Sequence, residues 1–354
     1  MPFQDSPDYA ILARVLRDPG LLEQVSPEEL SRLVDAATAA RLLGWLMEQC
    51  RVRQFSASAP AWLRDRLLSA EATAAGYERA IRWEIDRLIR AFHGTAQPWI
   101  LLKGAAYVAA GLPPGLGRRV ADIDVLVPRY DLQRVEGILT EHGWEFPPID
   151  PYDDRYYREW MHELPPMVHR ERRSIVDVHH AILPRTSRLT PASERLLERA
   201  IPAGRARVLC PSHMVLHAAA HLFHDGEVAG AIRDLVDLDQ LLRCFGCDEA
   251  FWDDLISEAQ TLGLTRPAYY ALRYSQRWLG TPIAARVVRV ATAWGPPVLV
   301  RALMDRLVAK SLAAGLSARH PASVFCLYVR AHWLRMPLWR LARHLARKSV
   351  RRPA

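Results

Sequence analysis

The chain has 354 residues, half of them hydrophobic and 24% charged, which is ample for a buried core and for two or three substructures. The net charge of +8 equals the eight cations of residues 330–354 (Arg330, Arg335, Arg340, Arg343, Arg347, Lys348, Arg351 and Arg352), a segment with no acid, so the rest of the chain is balanced and is not a nucleic-acid binder by charge alone. No run approaches about 18 apolar residues, the N-terminus lacks a basic and then apolar leader, and the five cysteines are scattered and odd in number. The sequence therefore predicts a cytoplasmic protein with reduced thiols, no membrane span and no disulfide framework.

In chain order, residues 1–96 form a helical region. Tyr9, Ile11, Leu12, Val15 and Leu16 recur at helical spacing, and Ser26-Pro27-Glu28-Glu29 supplies a cap, a first-turn proline and two acids. A long amphipathic helix is expected from about Ala61 to Phe92, with Ile81, Ile85, Leu88 and Ile89 on one face. The pattern then changes at Gln97-Pro98. Residues 97–189 read as a compact α/β unit: a short strand in Trp99–Leu102, a small-residue helix in Gly104–Ala110, a Pro/Gly loop in 112–117 and a strand in Val120–Val127. A helix in Asp131–His142 and two antiparallel strands, Met167–Arg170 and Ser174–Ile182, complete it. From about residue 190 to 329 the pattern is helical again, with Pro211-Ser212 opening one helix. Residues 330–354 form a basic amphipathic tail interrupted by Pro337.

The chemistry concentrates at Asp122-Ile123-Asp124. In a strand, residues i and i+2 share a face, so both carboxylates project together while Ile123 and Val125 pack beneath. Paired carboxylates repel unless a cation lies between them, and hard divalent ions such as Mg²⁺ prefer such oxygens. Asp177 sits between Val176 and Val178 in the later strand, sharing its outward face with His179, and is the candidate third carboxylate of a two-metal site. Asp-x-Asp by itself is more often a solvated turn; the flanking strand residues argue otherwise here.

Leu102-Lys103-Gly104-Ala105-Ala106, the Gly/Pro loop, Arg118 and Asp122-Ile123-Asp124-Val125-Leu126-Val127 together resemble the uncharacterised nucleotidyltransferase family of the polymerase-β-like superfamily. The resemblance extends to Asp177-Val178-His179, to His217–His221 and to Arg233–Asp237, and covers roughly residues 80–245. It implies an α+β fold, a small mixed-sheet nucleotidyltransferase core flanked by N-terminal and C-terminal helical regions. It further implies Mg²⁺ or Mn²⁺ on Asp122, Asp124 and Asp177, and transfer of a nucleotide from an NTP to an acceptor with release of pyrophosphate. Gly104-Ala105 takes the place of the superfamily's usual Gly-Ser beside the nucleotide phosphates. A glycine lets backbone approach a phosphate closely, and a helix start offers free N–H groups. Lys103 is either a phosphate contact or a surface lysine ending a strand, and Arg118 is either a triphosphate ligand or an exposed loop arginine, with Arg119 beside it as a competitor.

Other motifs admit several roles. His213, His217 and His221 recur every fourth residue on one helix face, but Ala218 follows His217 where a zinc-protease motif needs Glu, so contact with nucleotide or acceptor is the functional reading. Arg233 and Asp237 read first as a surface ion pair, with Asp234 or Asp237 facing an acceptor as the alternative; His179 is a further acceptor-side candidate. Cys244-x-x-Cys247 has no second pair and no redox context. The acceptor, whether a small molecule, a protein or an RNA end, is not identified by the sequence. Two rival readings stand beside active transfer: a catalytically silent NTP-binding regulatory module, suggested by Ala105, and an RNA-end nucleotide-adding enzyme whose tail grips an anionic surface.

Overall fold

Ser26 starts its helix as its sequence context predicts. Its Oγ accepts from the Glu29 amide at 3.2 Å, and the Glu29 carboxylate accepts from the Ser26 amide at 3.2 Å, a reciprocal capping box. The computed structural model describes residues 7–54, 60–95, 98–225, 228, 230–312 and 321–336. Its N-terminal region is α1 (Pro7–Arg17), α2 (Pro27–Ala39), α3 (Leu43–Val52) and the long α4 (Ala61–Ala91). Ile81, Ile85 and Leu88 of α4 are buried and Ile89 packs at the edge of the core, so the apolar stripe read from the sequence is the face that docks.

The chain then alternates between strands and helices. β1 (Ile100–Leu101) leads into α5 (Lys103–Ala109), and β2 (Asp122–Leu126) into α6 (Leu132–Glu141). β3 (Trp144–Glu145), α7 (Pro151–Trp160), β4 (Met167–His169) and β5 (Ile175–His179) follow. β4 and β5 pair antiparallel, as expected, and β5 pairs in parallel with β2. The strands predicted from Trp99 and Val120 are shorter than their apolar runs, because Leu102 already turns into α5 and the chain reaches the sheet only at Asp122.

The sheet extends past residue 190, where the sequence pattern reads as helical throughout. After α8 (Ser193–Glu198), β6 (Ile201–Ala203) and β7 (Ala206–Val208) form a hairpin whose turn uses Gly204 at φ +61°. β7 then pairs in parallel with β1. The result is a seven-stranded mixed sheet in the order β3-β4-β5-β2-β1-β7-β6 within a mostly helical α+β protein. Three-residue strands carry too little alternation to stand out from helical periodicity, and it is the pairing with β1 that makes them strands.

The C-terminal helices are α9 (Pro211–Ala220), extended by a π-helical turn over His221–Asp225, then α10 (Ile232–Phe245), α11 (Glu249–Thr261) and α12 (Thr265–Tyr274). α13 (Ala285–Ala293), α14 (Val298–Leu312) and α15 (Pro321–Arg335) complete the described chain. Among the described residues no single helix is long and apolar enough to cross a membrane; α13 and α14 reach that length and composition only together, bent by 111°. Most of the basic tail lies outside the described residues. Its start belongs to α15, where Arg330 is not on a solvated face: Nη1 donates to the Phe223 carbonyl at 2.8 Å and the guanidinium lies 5.6 Å from the Tyr270 ring.

Candidate active site

β2 and β5 lie side by side with Ile123 opposite Val176, Asp124 opposite Asp177 and Val125 opposite Val178. The apolar members of these pairs are buried beneath the sheet. Because register partners in a parallel pair share a face, Asp124, Asp177 and Asp122, two residues back on β2, converge on the opposite face. The three acids picked out in the sequence therefore meet, although 53 positions separate the second from the third.

Their environments differ. Asp124 is 4% exposed, and its Oδ1 accepts from Lys103 Nζ at 2.8 Å and lies 2.8 Å from His179 Nε2. Burial alone would raise this carboxyl, but the Lys103 charge and the His179 bond outweigh it and hold it well below the usual carboxylate range. Burial likewise works against the Lys103 ammonium, and the Asp124 charge reverses that and raises it. Asp177 has no such partner. Burial, followed by the negative charges of Asp124 and Glu163, pushes its carboxyl up to about 7, and its buried Oδ1 has no hydrogen-bond partner. Asp122 is raised in the same direction, by burial and then by Asp124. One compensated and two uncompensated carboxylates on one face, with an orphaned oxygen among them, fit a divalent cation.

Lys103 is not a free surface lysine, because its ammonium is paired with Asp124. It is the first residue of α5, with φ +45°, an uncommon conformation for a side chain with a Cβ, and the Leu102 amide beside it donates to the Asp124 carbonyl at 2.9 Å. Gly104 and Ala105 follow, both buried. A Cβ on Gly104 would meet Arg118 Nε at 3.1 Å and a Val120 methyl carbon at 3.2 Å, so the glycine lets the 112–120 loop pack against the start of α5.

Arg118 is not an exposed loop arginine. It is largely buried and donates through Nη1 to Asp237 Oδ2 on α10. Asp237 Oδ1 accepts from Arg233 Nε at 3.0 Å, and Arg233 also donates to the carbonyls of Arg41 at 3.1 Å and Pro114 at 3.0 Å. The Arg233–Asp237 pair, expected on the surface, is thus a buried clamp joining the N-terminal helices, the loop and α10; Asp237 is 3% exposed. Asp234 lies alongside, its carboxyl raised by burial and then by Asp237. Arg119 points elsewhere, its guanidinium 5.1 Å from the Tyr77 ring.

The histidine series divides. Burial, then the nearby Lys103 charge, lowers His217 well below the usual imidazole range and His221 to about 3, so both are neutral beside the site. His213 belongs to a separate cluster: its Nε2 lies 2.7 Å from Glu258 Oε2, where Arg195 also binds, and this ties α9 to α11. Cys244 and Cys247 are free and exposed.

Sequence reading missed His162 and Glu163. Glu163 bridges to His179 across the end of β5, the His180 amide donates to the His162 carbonyl at 2.8 Å, and the Leu164 amide donates to the Val178 carbonyl at 2.9 Å. Glu163 Oε2 thereby comes within 3.3 Å of His179 Nε2. The one available signal was a His-Glu pair ahead of Leu164-Pro165-Pro166, with no periodicity to aim it.

Residues 26–280 match the model of a protein family described as uncharacterised nucleotidyltransferase, a span that takes in α2 to α4, the whole sheet and the Arg118–Asp237 clamp. A comparison with curated proteins found no match.

Proposed function

Since the chain belongs to the uncharacterised nucleotidyltransferase family, we propose that it moves an NMP group from an NTP to an acceptor, using Asp122, Asp124 and Asp177 as a carboxylate site for Mg²⁺ or Mn²⁺. The observation that carries this reading is the placement of Asp177 opposite Asp124, with an unpartnered buried oxygen, on the face that also bears Asp122. Bound there, divalent cations would supply charge neutralisation for the triphosphate and activation of the attacking oxygen.

The chain's own residues then have distinct tasks. Asp124 is kept ionised by Lys103, so it presents a charged oxygen without prior loss of a proton. Asp177, opposite Asp124 on the neighbouring strand, is placed to take the acceptor's proton as the acceptor oxygen forms its bond to the α-phosphorus. The bond from that phosphorus to the bridging oxygen breaks, and pyrophosphate leaves. Arg118 and Lys103 offer positive charge beside Gly104 and Ala105, where the resemblance puts the triphosphate. Asp237 and Arg233 fix the position of Arg118, so Asp237 is a positioning residue. Neutral His217 and His221 line the side nearest Lys103, with His179, and suit an acceptor that is held by hydrogen bonds.

Ala105 favours a second reading, a module that binds an NTP without turnover, because it removes a hydroxyl from the phosphate side. Four α-labelled NTPs, incubated with the protein, Mg²⁺ or Mn²⁺ and a cell extract, separate the two. Label entering an RNA, protein or small-molecule fraction, and absent with Asp124→Asn, supports transfer and identifies the acceptor class. Metal-dependent NTP binding without transfer supports the silent module, and loss of both sinks the nucleotide reading.

A further inference from the structure

The geometry points to a second cation site, distinct from the three aspartates, in which His162, Glu163 and His179 bind a zinc-class transition ion. The ligand atoms of these three residues all lie within 4.8 Å of one another. Glu163 Oε2 is 3.9 Å from His162 Nε2 and 3.3 Å from His179 Nε2. Around a tetrahedral zinc, with bonds of about 2.0–2.2 Å, neighbouring ligand atoms stand ~3.4 Å apart, so the set needs only a small contraction. The backbone is already fixed for this, because the Glu163–His179 bridge and the His180–His162 hydrogen bond lock the 162–164 segment to the end of β5. Both imidazoles are buried, with His179 at 1% exposure. Two nitrogens and one carboxylate select Zn²⁺, Co²⁺ or Cu²⁺ over Mg²⁺, which prefers oxygen alone.

The site has a consequence for its neighbour. His179 Nε2 lies 2.8 Å from Asp124 Oδ1, and one ring nitrogen cannot serve Asp124 and a metal ion together. Occupancy at His179 therefore leaves Lys103 as the remaining partner of that oxygen. The inference does not rest on nucleotide transfer and is tested without it.

The 354-residue chain, stripped with EDTA and carrying Cys244→Ser and Cys247→Ser to remove an exposed thiol pair, is titrated with Co²⁺ and then with Zn²⁺ in excess Mg²⁺. We expect one Co²⁺ to give a visible d–d spectrum, Zn²⁺ to displace it, and Mg²⁺ to leave it in place. His162→Ala and Glu163→Gln should each weaken Zn²⁺ by at least about 100-fold, in proteins whose circular dichroism is unchanged. Cu²⁺ bound to the protein with both histidines intact should show nitrogen superhyperfine splitting from two imidazoles, a readout that needs no substitution at the site. No stoichiometric Co²⁺, a spectrum without nitrogen ligands, or binding abolished by Asp122→Asn and untouched by His162→Ala would each overturn the site.

Discussion

Asp124 and Asp177 are register partners on neighbouring parallel strands, yet only Asp124 has a counter-charge, from Lys103 at 2.8 Å. The site is thus unequal: one carboxylate is held ionised while its partner is pushed up to about 7. That inequality is what the proposed cation site rests on: the proton on Asp177 relieves the repulsion that a bound cation would otherwise relieve.

That inequality gives a pH signature. The Asp177 carboxyl is raised to about 7 from its ordinary 3.8, so between those values the folded protein holds a proton that the unfolded chain has lost. Stability of the metal-free protein should therefore fall as pH rises through this window and level off above 7, by about 2 kcal/mol once solvent screening is allowed for. Asp177→Asn should flatten the slope, and so should saturating Mg²⁺. Urea denaturation across the pH range checks this; an unchanged slope in the variant would remove Asp177 as its source.

Lys103→Met should leave Asp124 buried with only His179 beside it and destabilise the metal-free protein by about 3 kcal/mol. The sign follows from the depressed Asp124 carboxyl: the ion pair contributes at pH values above the ordinary carboxylate range and is lost as the pH falls through and below it. Mg²⁺ can take over the role of the missing cation, so it should raise the melting temperature of the variant more than that of the parent. Equal shifts would mean that Lys103 does not stand in for a cation at Asp124.

The Arg118–Asp237–Arg233 clamp should behave as one unit. Asp237→Ala strands two buried guanidinium groups and should cost about 3–5 kcal/mol, more than Arg118→Met, which strands one carboxylate oxygen and leaves Arg233 in place. The double substitution should be less damaging than the sum of the two. Additive losses in a double-mutant cycle would show that the pair is not coupled.

Gly44 on α3 faces the backbone of Gly117 so closely that a Cβ would collide with the Gly117 carbonyl, and Gly117 itself sits at φ +63°. Gly44→Ala should push the 112–120 loop away and destabilise by about 1–3 kcal/mol. Because that loop carries Arg118, NTP affinity measured by calorimetry should fall as well, although Gly44 belongs to the N-terminal helices. Intact affinity in a folded Gly44→Ala protein would detach the loop from nucleotide binding.

Much of the site was legible before the fold. Asp122 and Asp124 announce themselves because strand periodicity puts i and i+2 on one face, and Asp177 because a charge between two inward valines has to point the other way. The helical regions were equally plain, since apolar stripes at a 3.6-residue period and the Ser26–Glu29 box are local signals. Local patterns misled where burial was decided elsewhere. Arg233 and Asp237 have the spacing of a surface pair and are buried only because α10 packs against the 112–120 loop.

By itself the sequence determined that Asp122 and Asp124 share a strand face, that Ser26 caps α2 and which stripe of α4 is buried, because these depend on neighbours within a few positions. Only the tertiary structure decided which partners those residues have. Lys103 meets Asp124 across 21 positions, Arg118 meets Asp237 across 119, and Glu163 meets His179 through an irregular segment pinned to the end of β5. The hairpin of β6 and β7 likewise becomes part of the sheet only by pairing with β1. The physical reason is common to all four. Charge compensation and strand pairing are set by distance in space, and hydrophobic packing of the helices around the sheet fixes that distance between positions that no local period connects.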